Sequence, residues 1–242
     1  MFRTVGGAVR LEDLARAVCV IPGGGERVYD TVIQRRYTSL TVTTAENNAT
    51  GKPASDFTVS MDDLKSRLPN VDTVLLVVGW FGSDLRCGVC EIRPKVEVTA
   101  KNTIPDTWLV HGVTRADAQV VSNHAGRPAY GGAPSDDSVV RAVRNLKARG
   151  YSVILYPFVF MDVPAANSLP NPYGGTGQPV YPWRGRITCH PAAGVAGTVD
   201  KTATAATQVD AFFGTVTAAQ IAVSIGAGDQ VTTTYSGPSE WS

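Results

Sequence analysis

The sequence predicts an α/β fold: an incomplete β/α portion over residues 70–242, preceded by a mixed helical and extended segment over residues 1–69. Three observations carry this reading. Two runs, Val71–Phe81 (VDTVLLVVGWF) and Tyr151–Met161 (YSVILYPFVFM), are almost continuously apolar. Strands buried on both faces of a parallel sheet read this way. Between them, Asp136–Arg149 carries Val139, Val140, Val143 and Leu146 at helical spacing. Strand, long connection, amphipathic helix and strand form a β-α-β unit.

In chain order, Leu11–Ile21 has apolar residues at 11, 14, 15, 18 and 21, which predicts a helix stopped by Pro22-Gly23-Gly24-Gly25. That glycine run follows a helix and lacks the Lys-Ser/Thr of a phosphate loop, so it is read as a stop signal. Residues 26–58 are polar and Thr-rich, with an extended stretch at Tyr37–Thr43. Ser60 is a suitable N-cap for a helix over Met61–Leu68, with Asp62 and Asp63 at its positive end. Pro69-Asn70 ends it.

The connection over residues 82–115 precedes a short predicted strand at Ala118–Asn123. Ser135 is the expected cap of the helix that follows, and Gly150 closes it. Residues 162–198 are rich in Pro, Gly and Asn and too long for a simple connector, which marks a functional or docking loop. A last helix is expected over Lys201–Phe213, with Ala203, Ala206, Val209 and Phe213 on one face and Gly214 at its end. A closed eight-unit barrel usually takes about 250 residues. Here roughly the first third of the chain precedes the first clear strand. If the fold is barrel-like, the chain holds its opening units.

Composition narrows the function. Twenty-two Lys+Arg against 21 Asp+Glu give a net charge of +1, so no basic stripe is available for phosphate neutralisation and no nucleic acid is expected. The longest apolar run, Val74–Phe81, is interrupted by Gly79 and too short to span a bilayer, so no membrane span is expected. Met1–Arg10 has no continuous apolar segment of the kind a secretory signal carries. Four cysteines are too few for a disulfide-dense scaffold.

Several strings, in order, resemble one family. They are Val78–Gly88 (VGWFGSDLRCG), Arg127–Asp136 (RPAYGGAPSD), Tyr156-Pro157-Phe158 and Met161–Pro164 (MDVP), then Asn171–Gly175 (NPYGG) and Tyr181–Thr188 (YPWRGRIT). Together they resemble the TIM-barrel-like domain of the large baseplate protein of gene transfer agents and related siphophages, from about Leu11 to Trp241. The resemblance implies a virion protein at the tail tip, beside the tail hub and other baseplate proteins and assembled in the host cytoplasm. It also implies a barrel similar to glycoside hydrolases. The span corresponds to the front of that barrel, before the later strands where an acid/base pair is expected. A structural role is therefore the leading expectation, with no cofactor. The alternatives are a cell-wall hydrolase and a non-catalytic module that binds a cell-surface glycan.

Glycoside hydrolysis needs two carboxylates flanking one bond. Asp84 and Asp162 each follow a predicted strand, where barrels place their chemistry. The simpler reading of both is turn capping or pairing with Arg86, Arg184 or Arg186. Trp80, Tyr156, Tyr173, Tyr181 and Trp183, with Arg184, offer aromatic faces for sugar rings, or equally anchors for a protein partner. Cys87 and Cys90 form a CxxC, with Cys189-His190 further on. Zinc would need four converging ligands, and buried free thiols or a Cys87–Cys90 link are the simpler readings. The histidines are scattered and no serine sits in a G-x-S-x-G elbow, so a Ser-His-Asp hydrolase has no support.

Overall fold

A computed structural model of the chain describes residues 10–21, 25–39, 41–180, 186–227 and 231–237. It is a mixed α/β protein built on a largely parallel sheet. The principal elements are α1 (Leu11–Leu14), β1 (Ala17–Val20), α2 (Asp56–Arg67) and β2 (Thr73–Gly82), then α3 (Asp136–Ala148), β3 (Ser152–Met161) and α4 (Ala203–Phe213). A C-terminal hairpin joins β4 (Ile221–Ile225) to β5 (Val231–Tyr235). Among the described residues the sheet does not close into a barrel, and no helix is long and apolar enough to cross a membrane.

The central sheet has the order β1-β2-β3. β1 pairs parallel with β2, Ala17 opposite Thr73 and Val20 opposite Leu76. Ser152 N–H donates to Asp72 C=O (2.7 Å) and Asp162 N–H to Gly82 C=O (2.9 Å). The same register at both ends of the strands is what a parallel pair produces. Strand order thus equals chain order.

Contacts divide the chain into two compact units. The first comprises Met1–Trp80 with Pro94–Val159, the second Phe81–Arg93 with Phe160–Ser242. The first unit holds the main apolar core. Phe57 and Met61 on α2, Val74 and Leu76 on β2, and Ala142 and Leu146 on α3 pack with Tyr29, Val71 and Tyr151.

Three expectations about the elements are corrected. The Leu11–Ile21 helix stops after one exposed turn, because Ala17–Val20 takes backbone partners on β2; parallel pairing overrides the apolar periodicity. Helix α2 starts five residues earlier than Ser60 predicts. Its cap is Ser55, whose hydroxyl accepts from Thr58 N–H (3.3 Å), while Asp56 accepts the N–H groups of Ala49 and Thr50. Ala118–Asn123 is not one strand. Gln119–Val120 pairs parallel with Lys95–Val96, and Asn123–His124 pairs with Arg127–Pro128.

Helix α3 lies where expected, but its details differ. Ser135 occupies the cap position without capping, since its hydroxyl accepts from Arg27 Nη1 (3.1 Å). Val140 is exposed, and the buried face is Ser138, Ala142 and Leu146. The largest difference is β3, predicted to be buried on both faces. Ile154, Leu155 and Tyr156 are 49%, 54% and 47% exposed. Helix α4 buries none of its residues, and Phe213 is 71% exposed.

Candidate functional site

Asp84 stands two residues beyond β2 and is 5% exposed. Its Oδ1 accepts from Arg86 N–H (2.8 Å), Arg86 Nε (3.0 Å) and Gln178 Nε2 (2.6 Å), and its Oδ2 from Arg86 Nη2 (2.7 Å). Burial opposes its charge, but the Arg86 guanidinium and the Gln178 amide hold the carboxyl below the usual aspartate range. A glycosidase acid needs the opposite shift. Asp84 therefore acts as the anchor of a turn. Gln178 completes the anchor by accepting from Leu85 N–H (2.9 Å), and its amide also donates to Pro170 C=O (3.0 Å).

The long loop is organised around that anchor. Asn167 Oδ1 accepts from Gln178 N–H, and Asn167 Nδ2 donates to the carbonyls of Pro164 and Gln178. Arg86 and Thr188 form an isolated parallel bridge, with Cys87 N–H donating to Thr188 C=O and Thr188 N–H to Leu85 C=O, both 2.8 Å. The segment 84–90 is thus tied to 167–178 and to 188.

Asp162, in the same unit, follows β3 directly and is 1% exposed. Both acids occupy the C-terminal ends of neighbouring strands, as their sequence positions suggest. At Gly82 a Cβ would lie 2.8 Å from Met161 Sδ and 3.2 Å from Cys90 Sγ. That closeness explains the glycine, because any side chain there displaces both sulfurs.

The aromatic candidates are divided between the units. Trp80 is half-buried and Tyr156 exposed in the first, where the Tyr156 and Phe158 rings lie 6.4 Å apart. Tyr173 is exposed in the second. Tyr181, Trp183 and Arg184 lie outside the described residues.

All four cysteines are free thiols. Of the two simpler readings this matches free thiols rather than a Cys87–Cys90 link, and the thiol brought to Cys87 is Cys189, Sγ to Sγ 3.7 Å. Cys90 faces Gly82, and burial pushes its thiol above the usual range. Among the described residues no three His, Cys, Asp or Glu side chains converge as metal ligands.

Sequence reading missed a buried charge network in the first unit. Glu26 accepts from both terminal nitrogens of Arg115 and from Glu97 N–H, and lies 3.2 Å from Lys101 Nζ. Lys101 also pairs with Glu46 (2.9 Å) and Glu97 (3.0 Å). Beside it Arg141 bridges Asp30 (2.8 Å) and Asp106 (2.7 Å), and Gln34 Nε2 donates to Asp106. Every charge is met by an opposite one, so the network serves as a polar core.

A scan of known protein families finds no model that matches this chain, and a search of curated proteins finds none detectably similar.

Proposed function

We propose that this chain is a structural tail-tip or baseplate component of a siphophage or gene transfer agent particle. In this reading it carries opening units of a TIM-barrel-like domain and packs around the tail hub. The observation supporting an assembly role is β3. It is a ten-residue, nearly all-apolar strand at the end of the sheet order, with Ile154, Leu155 and Tyr156 about half exposed. Parallel sheets are ordinarily covered on both faces. A long apolar edge strand is a template for pairing with another chain. Strand order equal to chain order is the arrangement of the first units of a β/α barrel, whereas doubly wound folds reverse direction. The tail-tip assignment rests on the resemblance carried by Val78–Gly88 and the strings after it. The proposed occupant of the β3 edge is a strand of a neighbouring tail-tip protein. Asp84, tied to Arg86 and Gln178 and held below the usual aspartate range, does not fit the general-acid role in the alternative, hydrolytic reading.

The test is sedimentation velocity on the purified chain at micromolar concentration. Alone, it is expected to self-associate through the uncovered edge. Leu155→Lys combined with Tyr156→Lys shifts it toward monomer while preserving the circular dichroism spectrum. A wild type that stays monodisperse and monomeric overturns the proposal.

A further inference from the structure

We propose that Cys87 and Cys189 are a disulfide-forming pair, oxidised by small-molecule disulfides to staple the 3-10 turn Cys87–Val89 to the segment that leads into α4. The inference does not rest on the assembly reading. The parallel bridge between Arg86 and Thr188, with its two 2.8 Å hydrogen bonds, sets the residues that follow side by side. Adjacent strands lie about 4.8 Å apart, inside the Cα separation that disulfides tolerate. The sulfurs stand 3.7 Å apart. They need to close by about 1.7 Å to bond, a movement side-chain rotation supplies.

The surroundings favour a staple here. Helix α4 buries no residue and β4 is exposed throughout, so little apolar packing holds this part of the second unit. Gln208 on α4 meets the same segment, accepting from His190 N–H (2.8 Å) and donating to His190 C=O (2.8 Å). A recess of about 160 Å³ lined by Arg86, Gly88, Val89, His190 and Gln208 opens beside the pair.

The order of steps follows from exposure. Cys189 is partly exposed and Cys87 is buried. Burial and the neighbouring Cys189 push the Cys87 thiol up to about 11, so it is a poor first nucleophile. Cys189 gives up its proton, and its thiolate attacks one sulfur of oxidised glutathione, forming a mixed disulfide and releasing one glutathione thiolate. Cys87 then deprotonates and attacks Cys189 Sγ, breaking the mixed disulfide and expelling the second glutathione thiolate. Two protein thiols are oxidised and one glutathione disulfide is reduced to two thiols. The two protons lost by the protein are taken up by the leaving thiolates.

The test equilibrates the folded full chain with oxidised glutathione, quenches with acid, alkylates remaining thiols under denaturing conditions and maps the peptides by mass spectrometry. The expected result is a Cys87–Cys189 cross-linked peptide, with Cys90 alkylated. Cys90→Ser retains the cross-link. Cys87→Ser instead keeps a glutathione adduct on Cys189. The oxidised wild type melts about 5–15 °C above the reduced form. A Cys87–Cys90 cross-link, or full alkylation of Cys87 and Cys189 in the folded wild type, overturns the pairing, and an unchanged melting midpoint overturns the stapling.

Discussion

Replacing Glu26 by Gln tests whether the polar core of the first unit is a stabilising network. The substitution keeps the shape and removes one charge from a side chain that is 1% exposed. Lys101 retains Glu46 and Glu97 as partners at 2.9 and 3.0 Å. Arg115 is left worse off, because among the described residues its ion pair is with Glu26. Its guanidinium, 10% exposed, would keep Val98 C=O (2.8 Å), the Trp108 face (5.8 Å) and a neutral amide oxygen in place of the carboxylate. Removing one member of a buried pair costs about 3–5 kcal/mol, chiefly from the charge left behind. Native domains have about 5–15 kcal/mol in total, so the loss would be a large fraction.

The assay is urea denaturation followed by circular dichroism and tryptophan fluorescence at pH 7, where an unchanged m-value keeps the comparison within one transition. The double variant Glu26→Gln with Arg115→Met is expected to recover part of the loss, since the stranded charge is gone. The pH dependence supplies a second check. Burial opposes ionisation of Glu26, but Arg115 and Lys101 outweigh it and hold its folded-state pKa below the ordinary value. A depressed carboxylate contributes stability that is complete above the unfolded pKa, about 4.3, and lost as pH falls through the folded value. Wild type and variant should therefore differ fully at neutral pH, begin to converge as pH falls below about 4.3, and meet only below the depressed folded value. A variant within about 1 kcal/mol of wild type at pH 7 refutes the reasoning.

Two further outcomes follow from packing and from the Asp84 anchor. Leu146 is fully buried among α2, α3 and β2, so Leu146→Ala opens a cavity and should cost about 2–5 kcal/mol by the same denaturation measurement; a loss under 1 kcal/mol would deny that this cluster is the core. Gln178→Ala leaves the buried Leu85 N–H without its acceptor and should raise the amide exchange rate at Leu85 by roughly tenfold or more, the equivalent of 1–3 kcal/mol; unchanged exchange would deny the anchoring role.

The parts of the fold legible in the sequence are those whose signal is local. Val71–Phe81, Tyr151–Met161 and Asp136–Arg149 announce themselves by composition or period, and the elements appear within a residue or two. Leu11–Ile21 misleads because one apolar pattern satisfies both a helix and the strand pairing that Thr73–Leu76 offers. The Ser60 cap misleads because Ser55 is an equally good cap five residues earlier, and Asn47 accepts the next N–H, that of Asp56, in its favour. The acids are placed at strand ends by position alone. Their partners are not legible, since Gln178 reaches Asp84 across 94 residues, Arg115 reaches Glu26 across 89 and Cys189 reaches Cys87 across 102. No spacing rule connects residues so far apart.

The exposure of β3 separates two things that an apolar run encodes. The run states that a strand must leave water; it does not name what covers it. In β2 the demand is met within the chain, by β1 on one side and by α2 and α3 in the core. In β3 the same composition leaves Ile154, Leu155 and Tyr156 about half in solvent. Full burial of such a side chain is worth about 1.5–3 kcal/mol, so each half-exposed one forgoes roughly half of that, and three adjacent ones together favour any surface that would cover them. A soluble monomer would be expected to carry charge along such an edge, yet Val153–Met161 contains none. Under the proposed assembly role a partner covers this strand, and the charged variants at Leu155 and Tyr156 probe that cover.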